Sequence, residues 1–299
     1  MGTARISIAA WIVWATQSAF AQYGLPATLQ AELPFGTDLT FSVAQKQLTP
    51  STLLGNAVYV PPGDAEKKRP ALIIHHTCGG ISDHIYQWGE AALREGYAVL
   101  MLDTLTPRGL KADCGSPSRI PNGRWVKDQL DSIAYLAAQP FVNPKAISTL
   151  GFSKGGLAST WLTSPSIAQA LRPGTEQPAA TVALYALCAL APSKGRPQGI
   201  MILQQDTSRP LLMLLGEKDN ELPPQSCIKE LPLRKASGSP VEWHVYPNTT
   251  HAWDKAEQDG FTKPSPINGE VVEYRHNKDA TEDARKRVFE FLKRHSDGS

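Results

Sequence analysis

The chain has 299 residues, a formal net charge of +2 and an ordinary globular composition, with 41% hydrophobic and 19% charged residues. Its length fits one large α/β domain or two small ones. The charge is close to neutral and no run of Lys and Arg stands out, so there is no electrostatic basis for a nucleic-acid partner.

The first residues have the pattern of an export signal. Arg5 is the only charge before an apolar run, and Ala19 and Ala21 then form a small-x-small cleavage site. A membrane anchor is the alternative, but the apolar run is too short to cross about 30 Å of hydrocarbon. We expect residues 1–21 to be removed, which takes one unit from the charge of +2 and leaves +1. The mature chain, 22–299, is then periplasmic or secreted, with no membrane anchor.

Strand-like and helix-like segments alternate through most of the mature chain. Residues 38–44 and 56–62 are candidate antiparallel edge strands. The segments that follow are strand 71–76, helix 83–96, strand 97–103, a loop rich in Pro and Gly (104–123), helix 124–140, strands 146–152, 181–187, 209–216 and 241–247, and an amphipathic helix 281–295. This alternation predicts a single α/β domain over 22–299, with a mostly parallel central sheet and helices on both faces.

The sequence Gly-Phe-Ser-Lys-Gly, residues 151–155, places Ser153 where a strand ends and a helix begins. A turn that only ends a buried strand is one interpretation. The other is a nucleophile elbow, in which the serine occupies a sharp, strained turn and larger side chains on either side would collide with the neighbouring strand and helix. The helix N-terminus would also present N–H groups and partial positive charge to an oxyanion.

A serine nucleophile needs a base and an orienting acid. In the α/β-hydrolase arrangement they follow in the order serine, acid, histidine, each after a later strand. Asp219 lies in the turn after strand 209–216, and His251 lies in the loop after strand 241–247. We therefore expect Asp219 to orient His251, and His251 to take the proton from Ser153.

Other residues compete for these two roles. Glu217 is nearer the strand end, but Asp219 lies further into the turn. His244 lies inside a strand, and His276 and His295 fall in the C-terminal tail. We therefore favour Asp219 over Glu217 as the acid, although a glutamate can do the same work, and His251 over the other histidines as the base.

The oxyanion hole needs a second N–H group, from the loop after strand 71–76. That loop contains Cys78 and two glycines, and by position we assign the hole to the backbone N–H groups of Cys78 and Lys154. A metal site on His75, His76 and Cys78 is the alternative. We reject it, because adjacent residues on a strand point to opposite faces.

The chain contains four cysteines, Cys78, Cys114, Cys188 and Cys227, and no C-x-x-C pair. An even number in an oxidising compartment favours disulfides over zinc or thioredoxin-type chemistry. Three pairings are possible, and four buried free thiols are the alternative. With the fold predicted above, Cys78–Cys114 and Cys188–Cys227 are the expected pairs, since each joins a loop after one strand to a segment after the next.

With these motifs in place, the chain resembles the dienelactone hydrolase family of α/β hydrolases. The likeness runs from about Arg69 to the C-terminal helix and includes GYAVLMLD, LGFSKGG, GEKD and YPNTTHAWD. It is closest to the exported members, which carry a similar His-Gly-Cys-Gly-Gly loop and a Pro-Arg-Gly turn. The resemblance implies the α/β-hydrolase fold and hydrolysis of a small-molecule ester.

Two departures from the family bear on the substrate. Ser153 stands where the namesake enzymes have cysteine, so their dienelactone substrate is not carried over. Thr77 stands where the family has glycine, which adds a side chain near the oxyanion hole and makes Thr77 a candidate substrate-binding residue. The resemblance also makes Arg108 the nearest match to the arginines that bind the substrate carboxylate, although Pro-Arg-Gly turns can be purely structural.

The leading hypothesis is an exported serine hydrolase that cleaves a carboxylic ester through an acyl-enzyme, with no metal and no organic cofactor. A non-catalytic binding protein on the same scaffold is one alternative, and a small peptidase or amidase is another. Peptidases of this fold usually carry an extra propeller or lid domain, for which the chain has no room.

We expect segments 104–123 and 163–180 to cover the pocket. The sequence predicts no oligomeric state.

Overall fold

The computed structural model describes residues 38–63, 67–115, 118–192, 199–265 and 269–296. The predicted export signal lies outside the described residues. Within them, no helix combines the length and the apolar character that a bilayer span requires.

Eight strands form one sheet in the order β1-β2-β4-β3-β5-β6-β9-β10. Numbered along the chain, the strands are β1 (Ser42–Val43), β2 (Ala57–Tyr59), β3 (Arg69–His75), β4 (Ala98–Leu102), β5 (Val142–Phe152), β6 (Thr181–Leu184), β7 (Ala189–Leu190), β8 (Ile200–Met201), β9 (Leu211–Gly216), β10 (Val241–Tyr246), β11 (Thr262–Pro264) and β12 (Val271–Glu273). The pairs from β4 to β10 are all parallel. Two small antiparallel pairs, β7–β8 and β11–β12, lie outside this sheet.

Helices cover both faces of the sheet. In the part of the chain that the structure describes, the α-helices are α1 (Asp83–Arg94), α2 (Asn122–Ala137), α3 (Lys154–Trp161), α4 (Pro165–Leu171), α5 (Gln225–Ala236) and α6 (Lys278–Ser296). Successive side chains of β3 point to opposite faces: Leu72 packs in the cluster that contains α1 and α6, and Ile73 packs in the cluster that contains α2 and α3. The mostly parallel sheet with helices on both faces confirms the predicted fold class.

Differences from the predicted elements are largest at the first edge of the sheet. The segments expected as edge strands form only the short strands β1 and β2. β2 runs antiparallel to β4, but β1 and β2 run parallel to each other.

The expectation that residues 163–180 cover the active site is wrong. These residues contain α4 and border a cavity of about 850 Å³ together with Lys145 and Arg209, which lie near the amino ends of β5 and β9. Ser153 follows the carboxyl end of β5. Because α3 carries the chain from the carboxyl edge of a parallel sheet back to its amino edge, the segment after α3 lies at the opposite edge from Ser153.

Both expected disulfides are present. The Cα atoms are 4.9 Å apart in Cys78–Cys114 and 4.8 Å apart in Cys188–Cys227. The first joins the loop after β3 to the loop after β4, and the second joins the segment after β6 to α5.

Candidate active site

Ser153 occupies a backbone conformation that side-chain-bearing residues rarely adopt. It has φ 51° and ψ −112° and lies between the end of β5 and the first residue of α3. Its N–H group donates to Leu184 O at 3.0 Å, and its own carbonyl oxygen accepts the Leu157 N–H at 2.9 Å. These bonds hold the strained turn and present the hydroxyl at the carboxyl edge of the sheet.

Gly151 and Gly155 of the motif have no room for a side chain, because other backbone atoms lie against both. A Cβ atom on Gly151 would overlap the carbonyl oxygen of Gly155, and a Cβ atom on Gly155 would overlap the carbonyl oxygen of His75. The turn can therefore form only if both positions lack a side chain, which is the physical reason proposed from the sequence.

The structure brings the three predicted triad residues together. His251 Nε2 lies 3.1 Å from Ser153 Oγ, and His251 Nδ1 lies 2.7 Å from Asp219 Oδ2. All three residues are buried. Asp219 Oδ1 accepts the backbone N–H groups of Glu221 and Leu222, at 3.0 and 2.8 Å. Because Asp219 accepts from Nδ1–H, Nε2 is left to accept the hydroxyl proton of Ser153.

The competing acid and histidines lie elsewhere. The side chain of Glu217 is 47% exposed, and its Oε2 accepts the N–H of Asn248 at 2.9 Å. His244 is on β10 against Tyr246, and His295 packs on Phe291 of α6. His276 is exposed on the surface.

A second carboxylate, absent from the sequence prediction, approaches the histidine. Glu221 Oε2 lies 3.7 Å from His251 Nε2. Burial lowers the pKa of His251, but the charges of Asp219 and Glu221 outweigh it, and the pKa lies above the usual 6.5. The signal available in the sequence was a second acid two residues beyond Asp219, in the same turn.

A single segment near Asp113 holds both residues that supply the candidate oxyanion donors. The Cys78 carbonyl oxygen accepts the Asp113 N–H at 2.7 Å, next to the Cys78–Cys114 disulfide. Lys154, the first residue of α3, places its Nζ 2.6 Å from Asp113 Oδ2 and 4.7 Å from the ring centre of Trp125. One segment, 113–114, thus contacts both residues to which the oxyanion hole was assigned.

The two candidate substrate-binding residues make contacts within the protein. Arg108 donates from Nη1 and Nη2 to the two carboxylate oxygens of the buried Asp128, at 2.8 and 2.9 Å. This bidentate contact favours the structural alternative over a carboxylate-binding role for Arg108. Thr77 Oγ1 accepts the N–H of Gly79 at 3.2 Å, within its own loop.

The side chains of His75 and His76 lie on the same side of the chain end, contrary to the expectation that they point to opposite faces. Their rings pack on the same residue, Trp125, at centroid distances of 4.9 and 5.3 Å, because the strand ends at His75 and the chain turns there. The ring nitrogens nevertheless have protein partners: His75 bonds to Thr104 and Gln129, and His76 bonds to backbone groups of Thr104 and of its own loop. Burial holds the pKa of His75 well below its usual value.

Comparison with known proteins supports one family. The model of the dienelactone hydrolase family matches residues 56–296. A relative from Salmonella typhimurium strain LT2, named "Putative carboxymethylenebutenolidase", is 24% identical over 221 residues, which are 71% of this chain and 78% of the relative.

Solved structures show the same fold at low identity. The α/β hydrolase MGS-M1, from a Medee basin deep-sea metagenome, is 20% identical with a TM-score of 0.56, over 79% of this chain and 91% of its own. A propionate-bound esterase of Thermogutta terrifontis is 16% identical with a TM-score of 0.57, over 79% of this chain and 88% of its own. By its sequence and its fold, the chain belongs to the dienelactone hydrolase family of α/β hydrolases, enzymes that act on ester bonds.

Proposed function

We propose that the protein is an exported serine hydrolase that cleaves a small carboxylic ester through an acyl-enzyme. The observation that carries the proposal is the hydrogen-bonded line from Ser153 Oγ through His251 to Asp219, at 3.1 and 2.7 Å. The strained conformation of Ser153 supports it further, since a turn of purely structural role has no need to hold a serine there.

In the first half of the reaction, Ser153 Oγ attacks the acyl carbon while His251 Nε2 takes the hydroxyl proton. Asp219 stabilises the imidazolium that forms. The carbonyl oxygen becomes an oxyanion, which accepts hydrogen bonds from the backbone N–H groups of Cys78 and Lys154. The ester C–O bond then breaks as His251 returns the proton to the leaving alcohol oxygen.

In the second half, a water molecule replaces the alcohol. His251 takes a proton from this water as its oxygen attacks the acyl carbon, and returns the proton to Ser153 Oγ when the acyl–serine bond breaks. The acid leaves, and the enzyme is regenerated. Every step uses side-chain and backbone groups of this chain, without a metal or an organic cofactor.

The nucleophile and one solved structure of the same fold indicate which substrates to test first. Because Ser153 replaces the cysteine of the namesake enzymes, we do not propose a dienelactone. The esterase of Thermogutta terrifontis was solved with bound propionate. Esters with short acyl chains are therefore the first substrates to test.

The proposal is tested with residues 22–299 and with the Ser153→Ala variant, on short-chain p-nitrophenyl esters. We expect the variant to lose at least about 10³-fold in kcat, because the nucleophile is removed. A fluorophosphonate probe should label the native chain and leave the variant unlabelled. Circular dichroism verifies that both are folded. Equal background rates with no labelling of either chain would contradict the proposal and favour a non-catalytic binding protein.

A further inference from the structure

Glu221 is a buried acid that the mechanism above does not use. Its side chain is only 8% exposed, and its Oε2 lies 3.7 Å from His251 Nε2, the nitrogen that faces Ser153. At this distance the carboxylate acts on the imidazole electrostatically. It is too far away to accept the proton that His251 must pass to the leaving group.

Two residues hold Glu221 in place. Lys263 Nζ donates to Glu221 Oε1 at 2.8 Å, and the Tyr274 hydroxyl donates to Oε2. Lys263 belongs to β11, and Tyr274 follows β12, so the small hairpin outside the main sheet supplies both contacts. Burial raises the pKa of Glu221, but the charge of His251 and the bonds from Lys263 and Tyr274 outweigh it, and the net pKa is lowered. Glu221 is therefore ionised at neutral pH.

The charges around His251 favour its protonated form. Asp219 and Glu221 are negative and Lys263 is positive. Two aromatic rings also lie beside His251, those of Tyr185 at 4.9 Å and Tyr274 at 6.1 Å between ring centroids. Burial raises the pKa of both tyrosines, so both are neutral. The sum of these groups is one net negative charge.

We propose that Glu221 is a positioning residue that stabilises the imidazolium of His251 in both halves of ester cleavage, and that Lys263 limits this stabilisation. Asp219 acts from the Nδ1 side of the ring and Glu221 from the Nε2 side. No proton moves to Glu221 at any step. The inference rests on the proposed function, because it assigns His251 the role of general base.

The pH dependence of kcat/KM tests the inference. His251 must be unprotonated to act, so activity falls as the pH drops through its pKa. Glu221→Gln removes a negative charge and should move this acid limb down by about one pH unit. Lys263→Met removes a positive charge and should move it up. Glu217→Gln is the matched control, because it removes an exposed carboxylate from the same turn, and should leave the limb unchanged.

An activity-independent readout separates this inference from the proposed function. In a Ser153→Ala background, the imidazole proton signal of His251 is titrated by NMR, with assignment from its loss in His251→Gln. We expect the midpoint to fall with Glu221→Gln and rise with Lys263→Met. An unmoved midpoint in Glu221→Gln would overturn the role of Glu221, and an unmoved midpoint in Lys263→Met would overturn the role of Lys263. A native chain without esterase activity would overturn the proposed function, while the titration still decides whether Glu221 acts on His251.

Discussion

The candidate site contains two acids that lie in one turn but contact different atoms of one histidine. Asp219 bonds to Nδ1 of His251, whereas Glu221 lies near Nε2. The backbone N–H groups of Glu221 and Leu222 both donate to Asp219 Oδ1, so the turn itself fixes the orienting carboxylate. A carboxylate held in this way selects one tautomer of the ring.

Replacement of that carboxylate should abolish most of the activity without unfolding the chain. We expect Asp219→Asn to lower kcat by about 10⁴-fold, the loss that this change causes in a serine protease triad through the wrong tautomer. Glu217→Gln should retain native kcat, since Glu217 lies outside the site. Steady-state kinetics of the two variants checks this. A large loss in Glu217→Gln with little loss in Asp219→Asn would reverse the assignment of the acid.

The sequence predicted which residues form the triad, but not all of the side-chain contacts around them. The order of Ser153, Asp219 and His251 could be read from motifs, because each follows a recognisable strand. The ion-pair partner of Arg108 could not be read from the sequence, because Asp128 lies on α2, 20 positions further along the chain. Glu221 was missed because its importance depends on the fold of the hairpin that carries Lys263 and Tyr274.

At the scale of elements, two loops at the carboxyl edge are joined next to the proposed oxyanion hole. The Cys78–Cys114 disulfide joins the loop after β3 to the loop after β4, and the Lys154–Asp113 ion pair ties α3 to the same segment. The other disulfide, Cys188–Cys227, lies in the core cluster that contains Leu231 of α5. Cys78–Cys114 therefore lies beside the proposed oxyanion hole, whereas Cys188–Cys227 lies in the hydrophobic core.

The two disulfides offer a matched pair of variants. Their sequence separations are 36 and 39 residues, so loss of either should cost a similar 2–5 kcal/mol in the free energy of unfolding. Only Cys78→Ser/Cys114→Ser should also lower kcat, by about tenfold or more, because a displaced N–H donor stabilises the oxyanion less well. Denaturant unfolding measures the first effect, and ester hydrolysis by folded protein measures the second. Equal kcat losses in both double variants would contradict this role of Cys78–Cys114.

The elements themselves were largely predictable. The buried parallel strands read as continuous apolar runs, such as Leu72–Ile74, because both of their faces are covered. The edge strands were harder to predict, since short strands with few partners leave little pattern in a sequence. The position of segment 163–180 depended on where α3 returns the chain, which local sequence does not encode.

For the whole molecule, the carboxyl edge of the sheet gathers the candidate site from distant parts of the chain. Ser153 follows β5, Asp219 follows β9 and His251 follows β10. These strands are parallel, so their carboxyl ends meet at one edge. The fold class therefore predicted that the three residues would meet, and side-chain geometry added the distances.

The proposed export can be tested on the whole chain through its N-terminus and its cysteines. When the chain is expressed in bacteria with residues 1–21, we expect the periplasmic protein to begin at Gln22 and to contain no titratable thiol, because the periplasm favours disulfides. The same chain made in the cytosol without those residues should contain free thiols before oxidation. N-terminal sequencing, intact mass and thiol titration check both forms. A periplasmic product that retains residues 1–21 would favour the membrane anchor instead.

The crowded turn at Ser153 also limits how this protein can diversify. A side chain at Gly151 or Gly155 would overlap the backbone around the nucleophile. Mutations at these two positions would therefore be removed by selection, whatever ester the enzyme cleaves. New substrate preferences must arise in the surrounding loops, and libraries for directed evolution should vary other positions of the segment around 104–115 and of β11 and β12 while leaving the motif, Asp113, Cys114 and Lys263 intact.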